Sequence, residues 1–289
     1  MAGPGPEVSV GSLTDVGLVR TENQDSLGSL EPADAFALAR KGRLFVVCDG
    51  MGGHAGGRVA SRIAVAAVVG RYRDAEAAPP EALRAALEAA NREIYLQASR
   101  EPEVAGMGST AVALALRGGE AHVAWVGDSR AYLVRGGRIQ ALTTDHSLVR
   151  MLFDEGLILE EEMARHPRKN VLLRSLGLKP TVEVDATTVP VAAGDIFVLA
   201  TDGLTGPVAK EEILEAVLYL PDDPSGAARR LVTLANARGG EDNVTVTIVR
   251  VLQVDADAGP PGPGSASGAT RRPFSPPSPP HEPRAPQGA

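Results

Sequence analysis

A layered α+β fold is predicted by three features of the sequence. Apolar runs of strand periodicity outnumber helical runs, several strand runs follow one another directly, and the helical runs cluster between them. A regular alternation of strand and helix, as in a parallel sheet, is not what the order shows. The strand runs are VSVGSLTDVG (8–17), RLFVVCDG (43–50), STAVALALRG (109–118), EAHVAWVGDSRAYLVRGG (120–137), TVEVDATTVPV (181–191), DIFVLATDG (195–203) and NVTVTIVRVLQV (243–254). Gly136 and Gly137 lie between apolar flanks, where a tight hairpin needs residues that tolerate positive φ. Helices are predicted over 57–72, 79–99, 210–220 and 224–240. The second opens on two prolines, suited to a first helical turn, and the fourth closes on Gly239–Gly240, suited to a C-terminal cap.

Composition narrows the class. The chain has 289 residues, 44% of them hydrophobic and 22% charged, enough for one large globular domain with a sizeable core. A formal net charge of −7 argues against nucleic-acid binding, which relies on a basic stripe. One cysteine, Cys48, excludes an internal disulfide framework and suits a reducing compartment. No apolar run is long enough to cross a membrane, and the first residues lack the charged-then-apolar pattern of a signal peptide, so a cytoplasmic protein is expected. From Gly259 the chain holds ten of its 22 prolines and a single aromatic residue, Phe274. Residues 255–289 are therefore expected to be a disordered Pro-rich tail, solubilising or a polyproline ligand, and residues 1–254 the folded domain.

The chemistry is carried by acids at strand ends. Three apolar runs finish on an aspartate beside a small or polar residue: Asp49 in FVVCDG, Asp128 in AWVGDSR and Asp202 in FVLATDG. A fourth, Asp242 in GGEDNVTV, stands just before the last strand. One strand–Asp–Gly junction is ordinary turn chemistry. Repetition is different, because strands that end in acids can gather them at one rim of a sheet, where carboxylates repel unless a cation neutralises them. Oxygen ligands without cysteine or histidine favour Mg²⁺ or Mn²⁺ over zinc.

Other readings of DGMGGHAGG (49–57) fare worse. A cysteine-based phosphatase needs an arginine six residues after its cysteine, and counting from Cys48 gives His54. A P-loop needs Gly-Lys-Ser/Thr, and no lysine is present. Gly50, Gly52 and Ala55 match a dinucleotide fingerprint only weakly, with Asp49 set to repel a pyrophosphate.

Eight motifs in order complete the pattern: RTENQD (20–25), DGMGGHAGG (49–57), GMGSTAVALAL (106–116), VGDSRAYL (126–133), TTDHSLV (143–149), RSLG (174–177), ATDGLT (200–205) and EDNVTVTIV (241–249). Over about residues 9–252 the chain resembles the bacterial metal-dependent serine/threonine protein phosphatases of the protein phosphatase 2C type. The resemblance implies a four-layer α-β-β-α sandwich, with two central antiparallel sheets flanked by helices, and two Mn²⁺ or Mg²⁺ ions at one end. By position, Asp49 would bridge both ions and the Gly50 carbonyl would bind one, while Asp202 and Asp242 would bind the other. Asp128, with Asp202, matches a weaker third-ion site. Arg20 would hold the substrate phosphate and Asp25 would orient a water held by the metals.

The resemblance further implies phosphoprotein substrates, an opposing Ser/Thr kinase and a monomer. The competing reading is a catalytically weak phosphoprotein-binding regulator on the same fold, which should have lost some of these acids. Met51, Gln24 and Gly206 stand where many eukaryotic members carry a histidine and two further acids, leaving the leaving-group acid open. His54 is the nearest histidine to the acids in sequence, whereas His146 is expected to cap or pack at a helix start and His122 to be structural. Residues 146–173 read as a charged helical insert beside the site, resembling the family's variable flap, with Arg165, His166, Arg168 and Lys169 available to attract a phosphopeptide.

Overall fold

The computed structural model describes residues 5–53 and 55–254. The expected tail, 255–289, lies outside the described residues, as does His54. In chain order the first elements are strands β1 (Glu7–Asp15) and β2 (Asp25–Leu30), helix α1 (Ala35–Lys41), strand β3 (Arg43–Met51), and helices α2 (Gly56–Asp74) and α3 (Pro79–Arg100). Strands β4 (Gly108–Ser109), β5 (Ala111–Arg117), β6 (Glu120–Val126), β7 (Arg130–Arg135) and β8 (Arg138–Ala141) follow. Then come α4 (Leu148–Asp154), α5 (Glu160–Met163), β9 (Asp185–Pro190), β10 (Ile196–Ala200), α6 (Asp202–Thr205), α7 (Lys210–Tyr219), α8 (Pro224–Ala237) and β11 (Val244–Gln253).

The strands form two antiparallel sheets, ordered β1-β11-β10-β7-β8 and β2-β3-β5-β6-β9, with β4 added beside β3. Side-chain alternation gives the central strands an apolar partner on each face. On β3, Leu44, Val46 and Cys48 pack outward against Ala60, Ala64 and Val68 of α2 and Leu83, Leu87 and Ile94 of α3. Phe45 and Val47 point the other way, into a core shared with Leu114 and Trp125 of their own sheet and Phe197, Leu199 and Val249 of the other. The outer residues of the second sheet, Val198, Val246 and Ile248, meet Ile213 of α7 and Leu231 and Ala235 of α8. Three apolar interfaces therefore separate four layers, helix, sheet, sheet and helix, the predicted architecture. The hairpin between β7 and β8 turns at Gly136 and Gly137, with φ of 55° and 71°, the positive values of a type I′ turn.

Several elements differ from expectation, among them the short helix α6, where a strand run was expected to extend to Gly203. Strand β2 (DSLGSL) and helix α1 were not predicted, because neither carries a clear apolar period. The insert at 146–173 is helical only over α4 and α5; Gly156, at φ 71°, and Pro167 interrupt the rest. No helix among the described residues is long and apolar enough to cross a membrane.

Candidate active site

The alternation that builds the core also delivers the acids. Asp49 continues the inward row Phe45–Val47 to the end of β3, and Asp25, at the start of β2, is its direct cross-strand partner. Thr201 and Thr245 continue the inward rows of β10 and β11 to the same end, and both hydroxyls donate to Asp25 Oδ2, at 2.9 and 2.7 Å. Asp202 follows Thr201 at once as the first residue of α6, and Asp242 stands two residues before β11. The backbone at Gly203 runs so close to Asn243 that a Cβ would meet its carbonyl oxygen, which is why glycine follows Asp202. Asp128 lies in the turn from β6 to β7. Gly50 and Gly57 form a second close approach: a Cβ on either would strike the other's backbone, so the strand's exit and the first turn of α2 are pressed together.

Thr110, ahead of β5, fixes Asp49 from both sides. Its hydroxyl accepts the Asp49 N–H at 2.9 Å and its N–H donates to the Asp49 carbonyl at 2.8 Å. The same hydroxyl lies 2.7 Å from Ser129 Oγ, beside Asp128. Asn243 pins the loop before β2: its Nδ2 donates to the carbonyls of Val16 and Glu22, and its Oδ1 accepts the Gln24 N–H. That loop presents Arg20, exposed, whose Nη2 donates to Asp242 Oδ2 at 2.8 Å.

Electrostatics mark these carboxyls as a strained group. Burial, then the charges of Asp202 and Asp242, push Asp25 up to about 7, although hydrogen bonds from Thr245 and Thr201 pull against them. Burial and the charges of Asp25, Asp202 and Asp128 hold Asp49 well above the usual carboxylate range. Asp128 is raised to about 7, by burial first and then by Asp202 and Asp145. Burial and Asp242 raise Asp202 as well. One oxygen each of Asp25 and Asp202, Oδ1, is buried without a hydrogen-bond partner among the described residues, a costly state for a carboxyl. As the side chains stand, no three acidic, histidine or cysteine groups among the described residues are spaced to hold an ion; Asp242 is turned to Arg20 and Asp25 to its threonines. Clustered, repelling, oxygen-only groups with buried orphan atoms nonetheless fit a hard divalent cation.

The five predicted acids and Arg20 thus fall at one end of the sandwich, and Gly50 is packed closely against Gly57 there. The structure adds Thr110, Thr201, Thr245 and Asn243, which hold the acids. A readable signal existed only for Thr201, the polar residue that ends the otherwise apolar inward row Phe197–Leu199 of β10. Cys48 faces α2 and is fully buried, which pushes its thiol up and away from nucleophilic use. His122 is structural, 2.9 Å from Thr188 Oγ1. His146 packs, and the cap of α4 is its neighbour Ser147. In the insert, Arg165 and His166 share a hollow of about 580 Å³ with Glu161 and Glu162, so its charge is mixed instead of basic.

The protein is a layered α-β-β-α sandwich with an acid-lined end. The family model described as protein phosphatase 2C matches residues 20–233. The serine/threonine phosphatase stp of Listeria innocua is 39% identical over 252 residues, covering 85% of this chain and 97% of that protein. The serine/threonine protein phosphatase PstP of Mycobacterium tuberculosis is 40% identical over 243 residues, 84% of this chain and 45% of that protein. A crystal structure of the PstP catalytic domain in complex with two manganese ions superposes with a TM-score of 0.74 at 37% identity, covering 85% of this chain and 99% of that one. The chain belongs to the protein phosphatase 2C family.

Proposed function

We propose that the protein hydrolyses phosphoserine and phosphothreonine in phosphoproteins with Mn²⁺ or Mg²⁺ as cofactor. The observation that carries this reading is the gathering of repelling carboxyls at one end of the sandwich, two with buried, unpartnered oxygens. Relatives 39 and 40% identical that are named as serine/threonine phosphatases, and one 36% identical named as a protein phosphatase, support it.

Asp49, with the Gly50 carbonyl, and Asp202 with Asp242 would hold two ions, and Asp128 with Asp202 a weaker third. When bound, the ions supply Lewis-acid charge and lower the pKa of water enough to attack phosphorus at neutral pH. Arg20, on its exposed loop, grips two phosphoryl oxygens in the planar geometry of a guanidinium and steadies the charge that grows on them. Asp25 Oδ1, the oxygen its threonines leave free, accepts a proton from the attacking water; Thr201 and Thr245 hold the carboxyl in place for it. With Met51 two residues after Asp49, the leaving serine or threonine oxygen would take its proton from a water held in the site or from His54, which lies outside the described residues.

The substrates imply a serine/threonine kinase that makes them, and a single buried cysteine fits a reducing compartment such as the cytoplasm. The test is phosphate release from a phosphothreonine peptide with Mn²⁺, with and without chelator, for wild type and Asp202→Ala. Release should need metal and fall to background in the variant. Metal-independent release, or an active Asp202→Ala enzyme, would overturn the mechanism; no release despite bound Mn²⁺ would favour a phosphoprotein-binding module.

A further inference from the structure

The Asp128 carboxylate hangs from the peptide of Gly127, which sits at φ 105°, a conformation that L side chains rarely adopt. A Cβ there would also press on Thr110 at 2.7 Å, so this peptide has no side chain of its own to steady it. His146 steadies it instead, at two points. The His146 backbone N–H donates to the Gly127 carbonyl at 2.9 Å, and the ring Nδ1 accepts the Gly127 N–H at 3.1 Å. An accepting Nδ1 leaves the ring proton on Nε2, which faces Asp185 Oδ2 at 3.3 Å.

Asp185 is fixed in turn by Arg174, whose Nη1 donates to its other oxygen at 2.7 Å. The imidazole side chain is only 8% exposed and stacks on Trp125, with centroids 6.1 Å apart and planes 19° from parallel. On the far side of Asp128, Asp145 grips Arg130 with both oxygens, at 2.9 and 2.6 Å. The adjacent pair Asp145–His146 therefore clamps the chain immediately before and shortly after Asp128. Leu173, at the exit of the insert, donates its N–H to the His146 carbonyl at 2.8 Å, so the insert and the Asp128 turn share this anchor.

We propose that His146, oriented by Asp185 and Arg174, is a positioning residue that aims the Asp128 carboxylate into the acid cluster by holding the Gly127 peptide. Supporting partners of this kind, one bond removed from a ligand, change metal affinity or activity by about 10–100-fold when removed. The inference rests on the reading that Asp128 serves the weaker ion, and its test separates the two.

Mn²⁺ binding to the full chain is measured by calorimetry and by electron paramagnetic resonance of free Mn²⁺, alongside kcat, KM and Tm. Wild type is compared with Asp128→Ala, His146→Leu, His146→Asn and His146→Gln. Asp128→Ala should lose the weakest Mn²⁺ event and keep the tighter ones. His146→Leu should weaken that same event by about 10-fold or more, lower kcat and leave KM within about 2-fold. His146→Asn places a carbonyl oxygen close to where Nδ1 stood and should recover to within about 3-fold of wild type, whereas His146→Gln, with its acceptor one bond further out, should not. The Asn–Gln contrast decides the matter even where the leucine variant fails to fold.

A role in stitching the fold alone would lower Tm and leave the weak event intact, or leave Asn no better than Gln; either result overturns the proposal. If Asp128→Ala removes the weak event and no His146 variant touches it, positioning fails and the phosphatase reading stands. If Asp128→Ala keeps every Mn²⁺ event, the assignment of Asp128 fails, and the positioning role with it.

Discussion

The middle and the end of the space between the sheets are built by the same strands in the same alternation, yet they hold opposite chemistry. Midway along β3, β10 and β11 the inward residues are Phe45, Val47, Phe197, Leu199 and Val249, all fully buried. One or two steps further on the same rows stand Asp49, Thr201 and Thr245, with Asp25 facing them from β2. Apolar burial in the middle stabilises the sandwich in proportion to the area removed from water. At the end, burial raises the carboxyls and leaves two oxygens without partners, so the same geometry costs stability. One region holds the fold together and the other is held by it.

Substitution should separate the two regions cleanly. Asp202→Asn keeps the shape but removes a charge that repels Asp25, Asp49 and Asp128. Losing roughly 4 kcal/mol of metal-assisted stabilisation implies a kcat lower by about 1,000-fold. The Tm of the chelated protein should stay level or rise, because the removed group is one that burial penalises. A drop in Tm matching the drop in activity would show that Asp202 belongs to the structural region after all. Phe197→Ala makes the reverse experiment. Truncating a buried phenyl should cost about 3–5 kcal/mol in denaturant unfolding, while kcat per folded molecule stays within about 3-fold.

Titration sharpens the contrast further. In the metal-free protein Asp25 and Asp128 sit near 7, above the ordinary 3.8. Between about pH 4 and 7 the unfolded chain has released those protons and the folded chain still holds them, so stability falls as pH rises and levels off above 7. Asp185 behaves oppositely. Although burial pushes it up, hydrogen bonds and charge from His146 and Arg174 bring it down to about 2, so its contribution is present above pH 4 and lost as pH falls toward 2. Melting in chelator should therefore show Tm declining by at least about 3 °C from pH 5 to 7. Added Mn²⁺ should raise Tm more at pH 8 than at pH 5, since it binds the ionised acids. A flat or rising Tm in chelator would remove the electrostatic distinction between the regions.

Most of the layering was legible in the sequence because buried strands leave a continuous or period-2 apolar trace, and the acids showed because they end those traces abruptly. Asp49, Asp128 and Asp202 each interrupt an apolar run, which is a local signal. Strand β2 was not legible: DSLGSL has only two apolar residues of strand type, lies at a sheet edge and gains its place by pairing with β3. Nor were the residues that hold the acids. Thr110 acts on Asp49 across 61 positions, Thr245 on Asp25 across 220, and Arg130 meets Asp145 only once a hairpin has folded back. Such partners are fixed by tertiary register, which no short window of sequence contains. The insert misled for a related reason, since its charged pattern is helical in composition while Gly156 and Pro167 break it into short pieces.

The gentlest way to perturb the comparison is through the loop that joins the two regions. Residues 16–24 lead from β1 in the sandwich to Arg20 and Asp25 in the site, and Asn243 holds them with three hydrogen bonds of 2.8–3.0 Å. Two further anchors, from the N–H groups of Leu18 and Val19 to the Gly240 carbonyl, do not depend on it. Asn243→Ala should therefore loosen the loop without releasing it, at a cost of about 1–3 kcal/mol in unfolding. Arg20 is the residue most affected, because it is exposed and, among the described residues, its side chain hydrogen-bonds to Asp242, the neighbour of the altered position. A wandering guanidinium weakens phosphate capture more than it alters chemistry on a captured phosphate. KM for a phosphothreonine peptide should rise about 3–10-fold with kcat within about 2-fold, read from initial rates at saturating Mn²⁺. If kcat falls instead while KM holds, Asn243 acts through Asp25 and the acid cluster, and the loop belongs to the site and not to its tether.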